Sequence, residues 1–312
     1  MYPATMALSA IEIEDTYGLL LDRSSFLTNR ISVSELSGGI TNRNFKVVTP
    51  TADYVARISS NESSFLAIDR DCEYQNSKIA AAAKVGAPVY DFIPGAGLLV
   101  IGFLPGRTFS SVDVSVNMER IATSCRNLHA SNPFAREFNM FDIQQRYLKI
   151  VLEKGFHIPS DYVDLADDIL RLKKVLQINA QPLVPCNNDL LPGNFIDDGE
   201  KIWLIDYEYS GNNDRCFELG NIWSEAVLPI ESLEELVTFY FQRSSPEQFA
   251  RAWLYAVFAK YGWTLWASIQ SAISTIEFDF WNWGMEKYED CRTLFASPQY
   301  QRFLTIAAAK EL

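Results

Sequence analysis

Cys186-Asn187-Asn188-Asp189-Leu190-Leu191-Pro192-Gly193-Asn194, followed closely by Leu204-Ile205-Asp206-Tyr207-Glu208-Tyr209, is the stretch that decides how this chain is read. Two acids and an amide around a short hairpin are the pattern a phosphoryl-transfer centre uses to hold a divalent cation and orient an attacking hydroxyl. Asp198-Gly199 is a two-residue hairpin signal, so Asn194 to Asp197 and Lys201 to Asp206 are expected to pair as antiparallel strands. The short apolar run Leu183-Val184-Pro185-Cys186 then delivers Asp189 into a loop at the same open end. In that arrangement Asp206 offers a full charge to a hard cation, and Asn194 adds a neutral oxygen. Asp189 stays free to accept a proton from a substrate hydroxyl, with catalysis resting mostly on positioning and charge neutralisation. Each of these residues alone is also an ordinary loop former; the constellation carries the reading.

The segment resembles the catalytic and metal-binding loops of the choline/ethanolamine kinase family, a branch of the protein-kinase-like phosphotransferases that includes the aminoglycoside kinases. The resemblance extends over nearly the whole chain. Leu36-Ser37-Gly38-Gly39-Ile40-Thr41-Asn42-Arg43-Asn44-Phe45-Lys46-Val47 is similar to the family's nucleotide-covering loop. There Gly38 and Gly39 allow the backbone to approach phosphates, and Thr41 and Asn42 can add donors. Arg57 sits in Tyr54-Val55-Ala56-Arg57-Ile58-Ser59, whose alternation suits a strand. The resemblance implies that Arg57 is the cation reaching the nucleotide phosphates, and that Glu73, in a helical stretch from about Ser63 to Lys84, pairs with it. A permanently charged, forked guanidinium suits a phosphate and a carboxylate together. The apolar run Leu99 to Phe103, followed by Leu104-Pro105-Gly106-Arg107, resembles the hinge that faces the adenine ring, and Pro and Gly break the strand there.

The carboxy-terminal third is rich in aromatic residues. Trp263, Trp266 and Gln270 fall at i, i+3 and i+7 on one helical face, followed by Phe278, Phe280, Trp281 and Trp283. Such a stripe serves a core as readily as a ligand. Trp263-Thr264-Leu265-Trp266 through Ile276-Glu277-Phe278-Asp279-Phe280 resembles the choline-kinase segment that builds an aromatic cage, which implies Trp263, Trp266 and Trp283 as the wall for a cationic head group. Aromatic faces attract a quaternary cation that has no hydrogen bonds to donate. Glu225, in the helix after Phe217-Glu218-Leu219-Gly220-Asn221, matches an acid aimed at the substrate cation, and Glu208 is expected on the same strand face as Asp206, helping the metal site or holding the loop. Two positions depart from the family pattern: Asn187 stands where histidine is usual, and Glu218 where aspartate is common. Asparagine can still bridge backbone groups, and the longer glutamate can still reach loop amides. Because Asp189, Asn194 and Asp206 are all present, an active kinase is the leading expectation and a nucleotide- or choline-binding pseudokinase the second.

Composition sets the outer bounds. At 312 residues and 48% hydrophobic content the chain can build two lobes with separate cores. A formal net charge of -12 argues against a nucleic-acid partner and mildly favours a cationic small molecule. Five scattered cysteines fit a reduced, cytoplasmic setting, with Cys186 as a buried strand thiol. With His129 and His157 as the two histidines, a histidine-rich zinc site is not expected, and His129 reads as a structural helix-end residue. Neither a secretion-signal pattern nor an apolar run of membrane-spanning length is evident. Ser9 to Glu12 offers a capping-box start for a helix reaching about Asp22 and packing on the small lobe.

These pieces predict an α+β, two-lobed, protein-kinase-like fold: residues 1–103 as an antiparallel-sheet lobe with one helix, residues 104–312 as a larger, mainly helical lobe. ATP with Mg2+ is expected between the lobes, and a small cationic alcohol in the helical lobe against the Trp263 to Trp283 wall. Choline comes first, ethanolamine second, thiamine is the main competitor, and aminoglycosides come lower because they favour broad acidic surfaces. A homodimer is left open.

Overall fold

The computed structural model describes residues 7–36, 41–59 and 65–309; Gly38 and Gly39 lie outside the described residues. Helix α1 (Ala10–Leu21) starts with the expected capping box, in which the Ser9 side chain accepts from the Glu12 amide and the Glu12 carboxylate accepts from the Ser9 amide. The helix seats Ile13 and Leu21 on a small apolar core with Phe45, Val47, Ala56 and Val100. Those residues come from an antiparallel sheet of β1 (Ser32–Leu36), β2 (Asn42–Val48), β3 (Asp53–Ser59), β4 (Val89–Ile93) and β5 (Leu98–Gly102), in the order β1-β2-β3-β5-β4. Helix α2 (Arg70–Ala82) is capped by Asp69, which accepts from the Cys72 amide at 3.0 Å. Although α2 lies within the first 103 residues, its Ala80 and the following Val85 pack into the core of the helical part.

The remainder runs through β6 (Arg107–Thr108), α3 (Ser111–Val116), α4 (Met118–His129), α5 (Met140–Lys154), α6 (Ala166–Ile178), β7 (Val184–Cys186), β8 (Phe195–Asp197), β9 (Ile202–Leu204), β10 (Gly211–Asn213), α7 (Arg215–Glu225), α8 (Ile230–Phe241), α9 (Pro246–Ile273), α10 (Phe280–Phe295) and α11 (Pro298–Ala308). Helix α9 is the axis of this lobe. It is apolar on nearly every face, as a helix must be when others surround it, and α5, α7, α10 and α11 pack against it. The α7 crossing is so close that only glycine fits at position 220: a Cβ there would meet the Ala252 carbonyl oxygen at 2.2 Å. Among the described residues, no helix is long and apolar enough to cross a membrane.

The hairpin forms, with Phe195 opposite Leu204 and Asp197 opposite Ile202, but its connection has four residues rather than two. Asp198 Oδ1 accepts from the amides of both Glu200 and Lys201 at 2.9 Å, and Gly199 takes a φ of 94°, so Asp198 opens the turn instead of forming its centre. The strand also ends at Leu204, two residues before Asp206.

Candidate active site

The loop after β7 is held from below. Asn188 adopts the left-handed region at φ 68°, uncommon for a residue with a side chain, and its amide donates to the carbonyls of Cys186 and Tyr209 at 3.2 and 3.1 Å. Glu218, at the start of α7, accepts from the Asn187 amide at 3.1 Å and the Asn188 amide at 2.6 Å. The longer acid therefore reaches the loop. Asn187 donates to the carbonyls of Ile205 and Asp206 and accepts from the Asp189 amide at 3.1 Å. His129 ends α4 beneath this bed, against Tyr240 and Glu218. The ligand atoms of His129, Cys186 and Glu218 lie within 4.8 Å of one another, yet the carboxylate is already committed to two loop amides.

Above the bed, one cleft gathers Thr41 and Asn42 from the sheet, Asp189, Asn194, Asp206, Glu208 and Tyr209 from the hairpin region, and Glu225, Trp263, Trp266 and Trp283 from the helices. Asn194 spends its side-chain nitrogen on the Asp189 carbonyl at 2.7 Å, which leaves its oxygen as the group it can offer. Asp206 sits at φ 63°, a second left-handed residue with a side chain, and backbone strain of this kind clusters where a site must aim a group. Its Oδ1 is buried without a hydrogen bond, in charge contact with Arg57 at 2.9 Å. With Oδ1 held by Arg57, the second Asp206 oxygen and the Asn194 oxygen are the hard donors that would fit a divalent cation such as Mg2+. Electrostatics agree. Loss of water pushes Asp189 well above the ordinary aspartate range, and the neighbouring Asp206, Glu225 and Glu208 push it further. Asp206 is pushed up to about 6 by the same loss of water, against the pull of Arg57. Such a concentration of carboxylates is poised for a cation.

Behind the cleft wall, Arg57 pairs with Glu73 as the sequence suggests, and also with Asp206 and Glu208. It is 6% exposed and faces acids rather than the open cleft. Glu208 corrects the expectation of a strand-face residue beside Asp206. It lies in the turn after the strand, where its oxygens accept from Thr41 Oγ1 and Asn42 Nδ2, each at 2.9 Å, and from Arg57 and Arg70 at 2.8 and 3.0 Å. Burial works to raise its pKa, but the two arginines hold it below the usual glutamate value. Glu208 thus clamps the sheet onto the helical lobe. Sequence reasoning passed over Arg70, which links Glu73, Glu208 and Asn42, because nothing in its local pattern marks it.

The tryptophans form the far wall. Trp266 donates its ring N–H to the Tyr209 hydroxyl at 2.8 Å, Trp263 meets the Tyr209 ring edge-on at 5.1 Å, and Trp283 meets Trp266 at 5.6 Å. Tyr209, also unremarked in the sequence, thereby locks the wall to the hairpin region. Glu225 reaches the same cleft, but Lys287 Nζ donates to both its oxygens at 2.7 and 2.8 Å.

A carboxylate lining a cleft, side-chain oxygens that could take a hard cation, and an aromatic wall together fit a small-molecule kinase. The sequence model described as choline/ethanolamine kinase matches residues 33–235. The chain belongs to the choline/ethanolamine kinase family. It is 28% identical over 296 residues to a probable ethanolamine kinase of Arabidopsis thaliana, covering 83% of this chain and 78% of that one. To a choline/ethanolamine kinase of Mus musculus it is 25% identical over 257 residues, covering 68% of this chain and 65% of the mouse protein. The crystal structure of a choline/ethanolamine kinase family protein from Mesorhizobium loti superposes with a TM-score of 0.83 at 28% identity, covering 95% of this chain and 99% of that one. As a member of the choline/ethanolamine kinase family, the chain is a phosphotransferase with an alcohol group as acceptor.

Proposed function

We propose that this chain transfers the terminal phosphate of ATP to the hydroxyl of a small amino alcohol, choline ahead of ethanolamine. The observation that carries this reading is the convergence of Asp189 with the Trp263, Trp266 and Trp283 wall in one cleft. A cationic head against the aromatic faces would leave a short alcohol arm near the carboxylate. Asp189 accepts the hydroxyl proton, and its raised affinity for protons suits a base that works beside phosphate. Asp206 and Asn194 are the residues that would hold Mg2+, which when bound neutralises charge on the phosphates. Thr41 and Asn42, their side-chain donors engaged by Glu208, would border the nucleotide from the sheet side, while Arg57, fixed by Glu73, supplies positive charge from behind the acids.

Asn187 and Glu218, the two departures that motivate a binding-only pseudokinase, both make loop-supporting hydrogen bonds, which favours the enzyme. All five cysteines are free, in keeping with a cytoplasmic protein. The test is ATP turnover against a panel of choline, ethanolamine, thiamine and an aminoglycoside. Choline is expected to give the highest kcat/KM, and thiamine or the aminoglycoside ahead of both amino alcohols would replace this reading.

A further inference from the structure

Lys287 is a buried charged residue that backs the aromatic side of the cleft, touching two of its lining residues, Glu225 and Trp283, from behind. It lies one helical turn after Trp283 on α10, and i,i+4 residues share a helix face, so its Nζ sits 4.3 Å from the Trp283 ring centroid while reaching Glu225 at the end of α7. The two side chains are 10% and 9% exposed. Both groups engaged by this lysine, the Trp283 face and the Glu225 carboxylate, belong to the cleft lining. A resident ammonium therefore already engages both oxygens of Glu225 and one face of Trp283.

The chemical consequence differs between two kinds of substrate cation. A primary ammonium gives up strongly held water on binding and needs acceptors in return, charged ones above all. At this wall the natural acceptor, Glu225, is committed to Lys287 through both oxygens. A trimethylated ammonium has no N–H to satisfy and is held by aromatic rings, of which Trp263 and Trp266 also line the cleft. We infer that Lys287 is a specificity-determining residue: by saturating Glu225 it sets the pocket toward a fully alkylated ammonium and against a primary one. The inference rests on the amino-alcohol reading above and deepens it.

Removing the lysine charge frees Glu225 for the substrate. Any cation gains from that, but a primary ammonium gains most because it can donate hydrogen bonds to the carboxylate. The experiment compares kcat/KM for choline and ethanolamine in wild type, Lys287→Met, Lys287→Gln and Lys287→Arg, and in parallel measures calorimetric binding of tetramethylammonium and methylammonium. The choline-to-ethanolamine ratio is expected to fall roughly tenfold in the two neutral variants, through KM rather than kcat, and to persist in Lys287→Arg. The double variant Glu225→Gln with Lys287→Met should recover the preference for choline. A ratio in folded Lys287→Met or Lys287→Gln protein that stays at or above the wild-type value overturns the inference. If wild type phosphorylates neither alcohol, the amino-alcohol reading falls separately, and the binding arm still decides: tetramethylammonium preferred by wild type and methylammonium by the neutral variants supports the lysine's role, and an unchanged order refutes it.

Discussion

The side-chain amide of Asn187 donates to the main-chain carbonyl of Asp206 at 2.8 Å, while its oxygen accepts from the Asp189 amide at 3.1 Å. One side chain thus sets the spacing between the two acids on which the proposed chemistry depends. Replacing it with alanine leaves each acid in place but unties them. Asn187→Ala is expected to lower kcat by roughly 100-fold with a modest change in KM, since small misplacements of reacting groups carry costs of that size. Steady-state kinetics on folded protein checks this, and near-wild-type kcat would show that the loops hold their spacing without the bridge.

Among the described residues, Arg57 is the buried cation paired with Glu73, Asp206 and Glu208 together. Arg57→Met would leave those carboxylates short of charge in a site with little water. Removing one partner of a buried ionic cluster costs about 3–5 kcal/mol. The expected result is a thermal transition lowered by roughly 10 °C at neutral pH. A transition within a degree or two of wild type would mean that Arg70 alone carries the cluster.

Asp189 gives a pH-dependent prediction with a definite sign. Its native carboxyl holds its proton well above the ordinary value of 3.8, so the unfolded chain ionises first as pH rises, and stability falls above that value. Without metal or nucleotide, Asp189→Asn should melt higher than wild type at pH 7.5 and no higher near pH 4. Melting curves across that range decide it. A constant difference at all pH values would trace the effect to packing instead of charge.

Gly220 tests the frame that aligns the substrate wall. Because a Cβ would meet Ala252 main chain, Gly220→Ala must push α7 away from α9, at a cost of about 1–3 kcal/mol. Helix α7 carries Glu225 and α9 carries Trp263 and Trp266, so KM for choline should rise as well. Unchanged melting and unchanged KM would contradict this close-packed arrangement.

Much of the site was legible because its chemistry is compressed into local spacing. Asp189, Asn194 and Asp206 lie within a short stretch whose residue types are few and whose hairpin is signalled, and the structure brings all three to one cleft. The wall was legible for a similar reason, since helical periodicity places Trp263 and Trp266 on one face. What escaped depends on the chain meeting itself at long range. Lys287 lies 62 residues from Glu225, and in sequence it looks like any helix lysine. Two-residue spacing from Asp206 to Glu208 suggests one strand face, yet the strand ends at Leu204 and the left-handed Asp206 then redirects the chain so that Glu208 meets Thr41 and Asn42. Asp198-Gly199 signalled a turn correctly, while the turn's length was decided by which amides the Asp198 carboxylate could reach.

The central claim is that Asp189 is the base for phosphate transfer to an amino alcohol. It is tested most directly by measuring phosphocholine formation from Mg2+–ATP and choline with wild type and Asp189→Asn side by side. Wild type should form phosphocholine, and the variant should be slower by roughly 100- to 10,000-fold in kcat while its KM for choline changes little. Phosphocholine formation by Asp189→Asn at the wild-type rate would contradict the account.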